Sequence, residues 1–72
     1  MAKKNLPKLG SLESIEAFQG AITLDREAGF GGFVAELKLM YEEQEPKPTD
    51  ALEQQFRQNL IHQVVNLAFQ NS

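Results

Sequence analysis

His62 is the single histidine of this chain, and there is no cysteine. An imidazole can act as a base, a metal ligand or a pH switch near neutrality. Catalysis would need a nucleophile or carboxylate beside it. At helical spacing its neighbours are Gln58, Asn59, Val65 and Asn66, none of which activates an imidazole. His62 therefore reads as a residue at the edge of an apolar interface, hydrogen-bonded to an amide. Gly29-Phe30-Gly31-Gly32-Phe33 is the segment most like a ligand loop. A dinucleotide fingerprint requires a third glycine where Val34 stands, and a phosphate-binding loop ends in Gly-Lys-Ser/Thr, which is missing here. The glycines read instead as a tight turn between helices, with the two phenylalanines anchoring it in the core. Glu42, Glu43 and Glu45 form an acidic patch without the DxDxDG spacing of a calcium loop, and read as a solvated helix end. With no paired acid and base, no nucleophile and no metal set, the expectation is a non-enzymatic protein that uses no cofactor and no metal.

A different kind of chemistry is legible from Gln58 to Ser72, a stretch without a formally charged residue. At 100° per residue, Leu60, Ile61, Val64, Val65, Leu67, Ala68 and Phe69 cover more than half of a helix, while Asn59, His62, Gln63, Asn66 and Gln70 collect in the remaining stripe. A surface helix ordinarily carries Lys and Glu on its wet side. Wide apolar coverage with an uncharged amide stripe is the pattern of a helix enclosed by other protein. The expected interface residues are Leu60, Ile61, Val64, Val65, Leu67 and Phe69, with Asn59, His62 and Asn66 beside them. Asn59 and Asn66 stand one heptad apart, and a buried Asn at a helix seam can specify register and partner. Two readings of the stripe stay open: side-chain hydrogen bonds across a two-fold axis, or an uncharged face turned to water.

Seventy-two residues make one domain. A chain of this size buries only about 60% of the surface its unfolded form exposes, so small folds add disulfides, a metal or oligomerisation. Without cysteine and with one histidine, oligomerisation is what remains. The net charge of −3 is unevenly spread: Lys3, Lys4 and Lys8 precede a body in which four cations, Arg26, Lys38, Lys47 and Arg57, oppose all ten acids, leaving −6 from Leu9 onward. Such a body disfavours nucleic acid and anionic membranes, which both need clustered Lys and Arg. No segment approaches the ~20 apolar residues of a membrane span. No apolar run follows the basic start, so a secretory signal is not expected and the default location is the cytoplasm.

These groups must be positioned by a few elements. Residues 1–10 read as a flexible basic arm, since Pro7 restricts Leu6 to extended backbone and Gly10 breaks propagation. Residues 11–72 read as a single helical domain. Ser11 is a helix N-cap, and Leu12, Ile15, Phe18 and Ile22 follow one face of a first helix over 11–24, which Gly20 weakens. A loop spans 25–32. Over 33–45, helical and strand periods compete, and Ala, Glu, Leu, Lys and Met favour helix; the alternative is a hairpin around residues 18–41 and an α+β domain. Glu45-Pro46-Lys47-Pro48 ends this element; Thr49 or Asp50 caps a long third helix to Gln70, and Asp50 with Glu53 matches a capping box. The fold expected is an all-α, three-helix small domain.

Lys4-Asn5-Leu6 followed by Lys8-Leu9, together with Phe56-Arg57 and Leu60-Ile61, resembles the theta subunit of bacterial DNA polymerase III, a small helical accessory protein. The connecting lengths differ by several residues and the central segment diverges, so no site is carried across. The reading is a protein–protein interaction module that homodimerises, or docks on a larger protein, through its third helix, in a regulatory or architectural role. The alternative is a small DNA-binding regulator of antitoxin or phage type using the basic arm. Three arm lysines neutralising three phosphates give a salt slope of only about −3. Random duplex DNA should therefore show no measurable binding at physiological salt in an anisotropy titration; submicromolar, salt-sensitive binding lost on replacing the three lysines by glutamine would promote the regulator reading.

Overall fold

The computed structural model describes residues 6–29 and 31–71. Three helices follow one another: α1 (Leu12–Ala28), α2 (Phe33–Glu42) and α3 (Ala51–Gln70), and the described residues hold no strand. The hairpin alternative around residues 18–41 is therefore not adopted. Helix-forming side chains outweigh the period-two pattern of 33–41, as expected where only Val34 is β-branched.

Each helix end has an identifiable cause. Ser11 starts α1, its hydroxyl accepting from the Ser14 N–H at 3.3 Å and donating to the Lys8 carbonyl. The first helix runs four residues past the expected Leu24, because Asp25-Arg26-Glu27-Ala28 are competent helix formers and nothing stops the chain before Gly29. Gly29 does stop it: at φ 79° it takes the left-handed conformation open to glycine, and its N–H closes on the Asp25 carbonyl at 3.1 Å. The second helix begins after Gly32, which has no side chain with which to cap. The cap comes from α1 instead. Asp25 Oδ1 accepts from the Phe33 N–H at 2.7 Å and Oδ2 from the Val34 N–H at 3.2 Å. A carboxylate is ill placed in the last turn of its own helix, but here it lies at the positive end of the next one. Asp50 caps α3, accepting from the Leu52 N–H at 2.8 Å.

The core is small and shared by all three helices. Phe18 and Ile22 from α1, Tyr41 from α2, and Ile61, Val64 and Ala68 from α3 are buried together, with Ile15, Val34, Leu37 and Val65 partly buried around them. The Phe18 and Tyr41 rings stack with centroids 5.8 Å apart and planes inclined by 22°. Ser14 is fully buried, yet its hydroxyl donates to the Ser11 carbonyl at 2.7 Å and accepts from the Gly10 N–H at 3.1 Å, so no hydrogen-bonding capacity is stranded.

The expected arm of residues 1–10 joins this body from Leu6 onward. Leu6 and Leu9 pack against the core, and the Tyr41 hydroxyl donates to the Pro7 carbonyl at 2.6 Å. The sequence reading missed this because Leu6 and Leu9 show no regular period; Leu9 lies in a turn closed by Ser11 N–H on the Lys8 carbonyl, and Leu6 adjoins the Pro7 carbonyl held by Tyr41. Lys3, Lys4 and the rest of the arm lie outside the described residues, as does Phe30.

Burial raises the pKa of the Tyr41 phenol above its usual value by desolvating the phenolate. The unfolded chain then loses this proton first, so the stability contributed by the neutral phenol is present below pH about 10 and is lost as pH rises through the folded pKa. Tyr41 is the only tyrosine, and its phenolate absorbance can be followed directly. Its titration should coincide with alkaline unfolding, and Tyr41→Phe should remove that step while lowering stability at neutral pH by about 1 kcal/mol for the orphaned Pro7 carbonyl. Titration at an ordinary value in the folded protein would refute this.

Candidate functional site

The third helix uses two faces. Ile61, Val64 and Ala68 lie in the core with Val65 beside them. Ile61 and Val64, placed at an intermolecular interface by the sequence reading, are thus covered by the chain's own other helices. Leu60, Leu67 and Phe69 remain exposed, at 38%, 43% and 54% of their full surface. Asn59, His62 and Asn66 are exposed as well. The amide stripe meets water in the single chain, and the one side-chain bond it shows runs along the helix, from Gln55 Nε2 to Asn59 Oδ1 at 3.3 Å.

Two residues absent from the expected set extend this outer face. Leu52 and Phe56 are three-quarters exposed and stand two turns and one turn before Leu60. By the helical period, Leu52, Phe56 and Leu60 line up at i, i+4 and i+8, and Gln63 and Leu67 continue the row. Their spacing carries the signal, but Leu52 and Phe56 precede the charge-free stretch that begins at Gln58 and stand beside Glu53 and Arg57. The row is bordered by the turn between α2 and α3, and together they shape an open groove of about 800 Å³ whose lining includes Pro46, Pro48, Phe56, Asn59, Leu60 and Gln63.

Arg57 positions that border. Its Nη1 donates to the carbonyls of Tyr41, Glu42 and Gln44 at 3.1, 3.2 and 2.9 Å, and its Nη2 donates to the Pro46 carbonyl at 2.8 Å. The first two acceptors belong to the last turn of α2, where carbonyls have no partner within the helix and the dipole favours a cation. One guanidinium thus ends α2, holds the proline turn and ties both to α3. The sequence gives no local sign of this, since the acceptors are backbone groups 11 to 16 residues away.

The remaining candidates are placed plainly. Gly29, Gly31 and Gly32 all have positive φ, so the glycine cluster serves backbone geometry. Phe33 is not an anchor in the core: it is 37% exposed and lies at the edge of a groove between α1 and α2. Glu42, Glu43 and Glu45 are exposed, and Glu43 Oε1 meets Lys47 Nζ at 3.0 Å, a solvent-screened pair. Among the described residues no three His, Cys, Asp or Glu side chains are grouped to hold a metal ion, and no helix is long and apolar enough to cross a membrane.

No protein-family model, curated protein or solved structure matches the chain. The resemblance to the theta subunit therefore rests on the residues quoted above and assigns no site.

Charge-assisted bonds contribute about 1.5–3 kcal/mol each to a difference measurement and are strongly non-additive within one group. Arg57→Ala should lower unfolding stability by about 2–3 kcal/mol in urea titrations. Arg57→Lys should recover less than half of that loss, because an ammonium cannot span the four carbonyls as a planar fork does. A neutral effect of Arg57→Ala would show that the turn holds without it.

Proposed function

We propose that this chain is a non-enzymatic protein–protein interaction module, associating with a second copy or docking on a larger protein through the outward face of α3. The observation that carries the reading is the row Leu52, Phe56, Leu60 and Leu67: four large apolar side chains left exposed along about 22 Å of one helix. Such a row faces water at a cost in solubility that the fold itself does not require, because the core is completed by the opposite face. Phe56, 76% exposed beside the proline turn, has the character of an aromatic anchor, and the uncharged amides Asn59, Gln63 and Asn66 can donate and accept without desolvating a charge. The role that follows is regulatory or architectural, in the cytoplasm, with proteins and not nucleic acid or membrane as partners. No cofactor enters into it.

Sedimentation at micromolar concentration tests the reading. Self-association should give about twice the 8.1 kDa chain mass. Phe56→Asp and Leu67→Asp should each return the chain to a monomer with an unchanged helical spectrum, since both side chains are exposed and an interface centre tolerates a buried charge poorly. Ile61→Asp and Val64→Asp should instead unfold it, because these two belong to the core. If the wild type is a monomer, a pull-down from native lysate should capture a protein partner that Phe56→Asp loses. A folded monomer whose captured proteins are indifferent to both surface variants would sink the reading.

A further inference from the structure

The outward face of α3 carries a repeat of its own. Leu52, Phe56, Asn59, Gln63, Asn66 and Gln70 are all exposed, and they follow one another at alternating steps of four and three residues. That is the 3.5-residue repeat of a helix–helix seam. By the helical period the seam lies opposite Ile61, Val64 and Ala68, which α3 buries in the core. The rest of the domain therefore stands behind it, with Pro46 and Pro48 beside Phe56 and Leu60, and about 27 Å of helix is open to another.

The chemistry of the seam restricts what can cover it. None of the six residues is charged. Of the charged groups that border it, Arg57 is held by backbone carbonyls, Lys47 is paired with Glu43, and Glu53 stands at the margin. A partner placing lysine, arginine, aspartate or glutamate across the seam would bury that charge with nothing to neutralise it. A carboxamide is different: it carries both donor and acceptor, so Asn and Gln satisfy one another. A second copy of α3 brings an uncharged seam of the same length with the same amides. Such self-complementarity is what a two-fold interface requires.

The distribution of side chains also sets the direction. Leu52 and Phe56 occupy the first part of the seam, and the four amides fill the remainder. Parallel pairing in register sets leucine on leucine, phenylalanine on phenylalanine and amide on amide. Antiparallel pairing over the same length sets Leu52 against Gln70 and Phe56 against Asn66, burying carboxamides against hydrocarbon. In the parallel pair the two copies of Glu53 lie on opposite edges, so no like charges meet.

We infer that α3 pairs with α3 of a second copy as a parallel, in-register seam, in which Leu52 and Phe56 supply apolar contact and the amides from Asn59 to Gln70 fix the register. This rests on the outward face of α3 being the association surface, and it narrows that surface to one partner.

The chain has no cysteine, so single cysteines report orientation cleanly. Full-length Gln70→Cys should oxidise to a disulfide-linked dimer, because in register each substituted position faces its copy within the span of a disulfide. In antiparallel pairing those positions would lie about 27 Å apart. Glu16→Cys, on the exposed surface of α1, should cross-link far more slowly and measures chance collision. Asn66→Leu should tighten the dimer by about tenfold in sedimentation, with an unchanged helical spectrum, since a seam amide limits stability. A wild type that stays monomeric as its concentration rises would overturn the inference, while docking of α3 on a different protein would still stand. A dimer in which Gln70→Cys cross-links no faster than Glu16→Cys, or whose affinity ignores Asn66→Leu, would also overturn it. If Phe56→Asp left that dimer intact as well, the reading of α3 as the association surface would fall with it.

Discussion

Tyr41 is the side chain on which the rest of the molecule depends. It is the only residue of α2 among those fully withdrawn from solvent, and it meets both other helices and the segment before α1. Its ring stacks on Phe18 of α1 and belongs to the same cluster as Ile61 and Val64 of α3. Its hydroxyl holds the Pro7 carbonyl, which draws the segment before α1 onto the body, and its own carbonyl accepts from Arg57. A ten-residue helix is marginal by itself, because nucleation is costly and few hydrogen bonds repay it. Phenol burial, aromatic stacking and two tertiary hydrogen bonds converge on one residue to place that helix.

The ends of α2 show the same dependence on distant groups. Its first N–H groups are met by Asp25, and carbonyls of its last turn by Arg57. One charge comes from the helix before and the other from the helix after, and their signs oppose the dipole of α2 at the correct ends. Ion pairing contributes little here; charge against backbone dipole does the positioning. The consequence is that the three helices are coupled at their ends as well as through their core, and the turn from Glu45 to Asp50 is held firmly enough to wall the groove beside Phe56.

The economy of a small domain explains what remains outside. Six side chains make the buried cluster, and α3 contributes half of them from one face. The opposite face of that helix keeps Leu52, Phe56, Leu60 and Leu67 in solvent, and the outer side of the α1–α2 pair keeps a trough over small residues. The molecule thus presents two apolar surfaces of different electrostatic character. The row on α3 runs into a stretch with no formal charge, while Glu36 lines the trough.

Much of the fold was legible in the chain. Phe18 and Ile22 at i, i+4 spacing marked the inner face of α1, Ser11 and Asp50 announced helix starts, and Glu45-Pro46-Lys47-Pro48 announced a stop. Helix composition outweighed the strand-like alternation of Phe33 to Tyr41. These are local effects: capping, propensity and period act within one or two turns of helix, so a sequence window contains them. The candidate site was legible only in part. Leu60, Leu67 and Phe69 were recognised as apolar and uncharged in their surroundings, but apolar character alone does not tell Leu60 from its neighbour Ile61, of which the first is exposed and the second buried. That choice belonged to the tertiary structure, because it depends on the direction from which α1 approaches α3. The same holds for Asp25 and Arg57, whose partners are backbone groups up to 16 residues distant. What the chain determined by itself was that three helices form and where they begin; what only the folded molecule decided was which of their apolar faces was left exposed, because burial is a property of the neighbours and not of the residue.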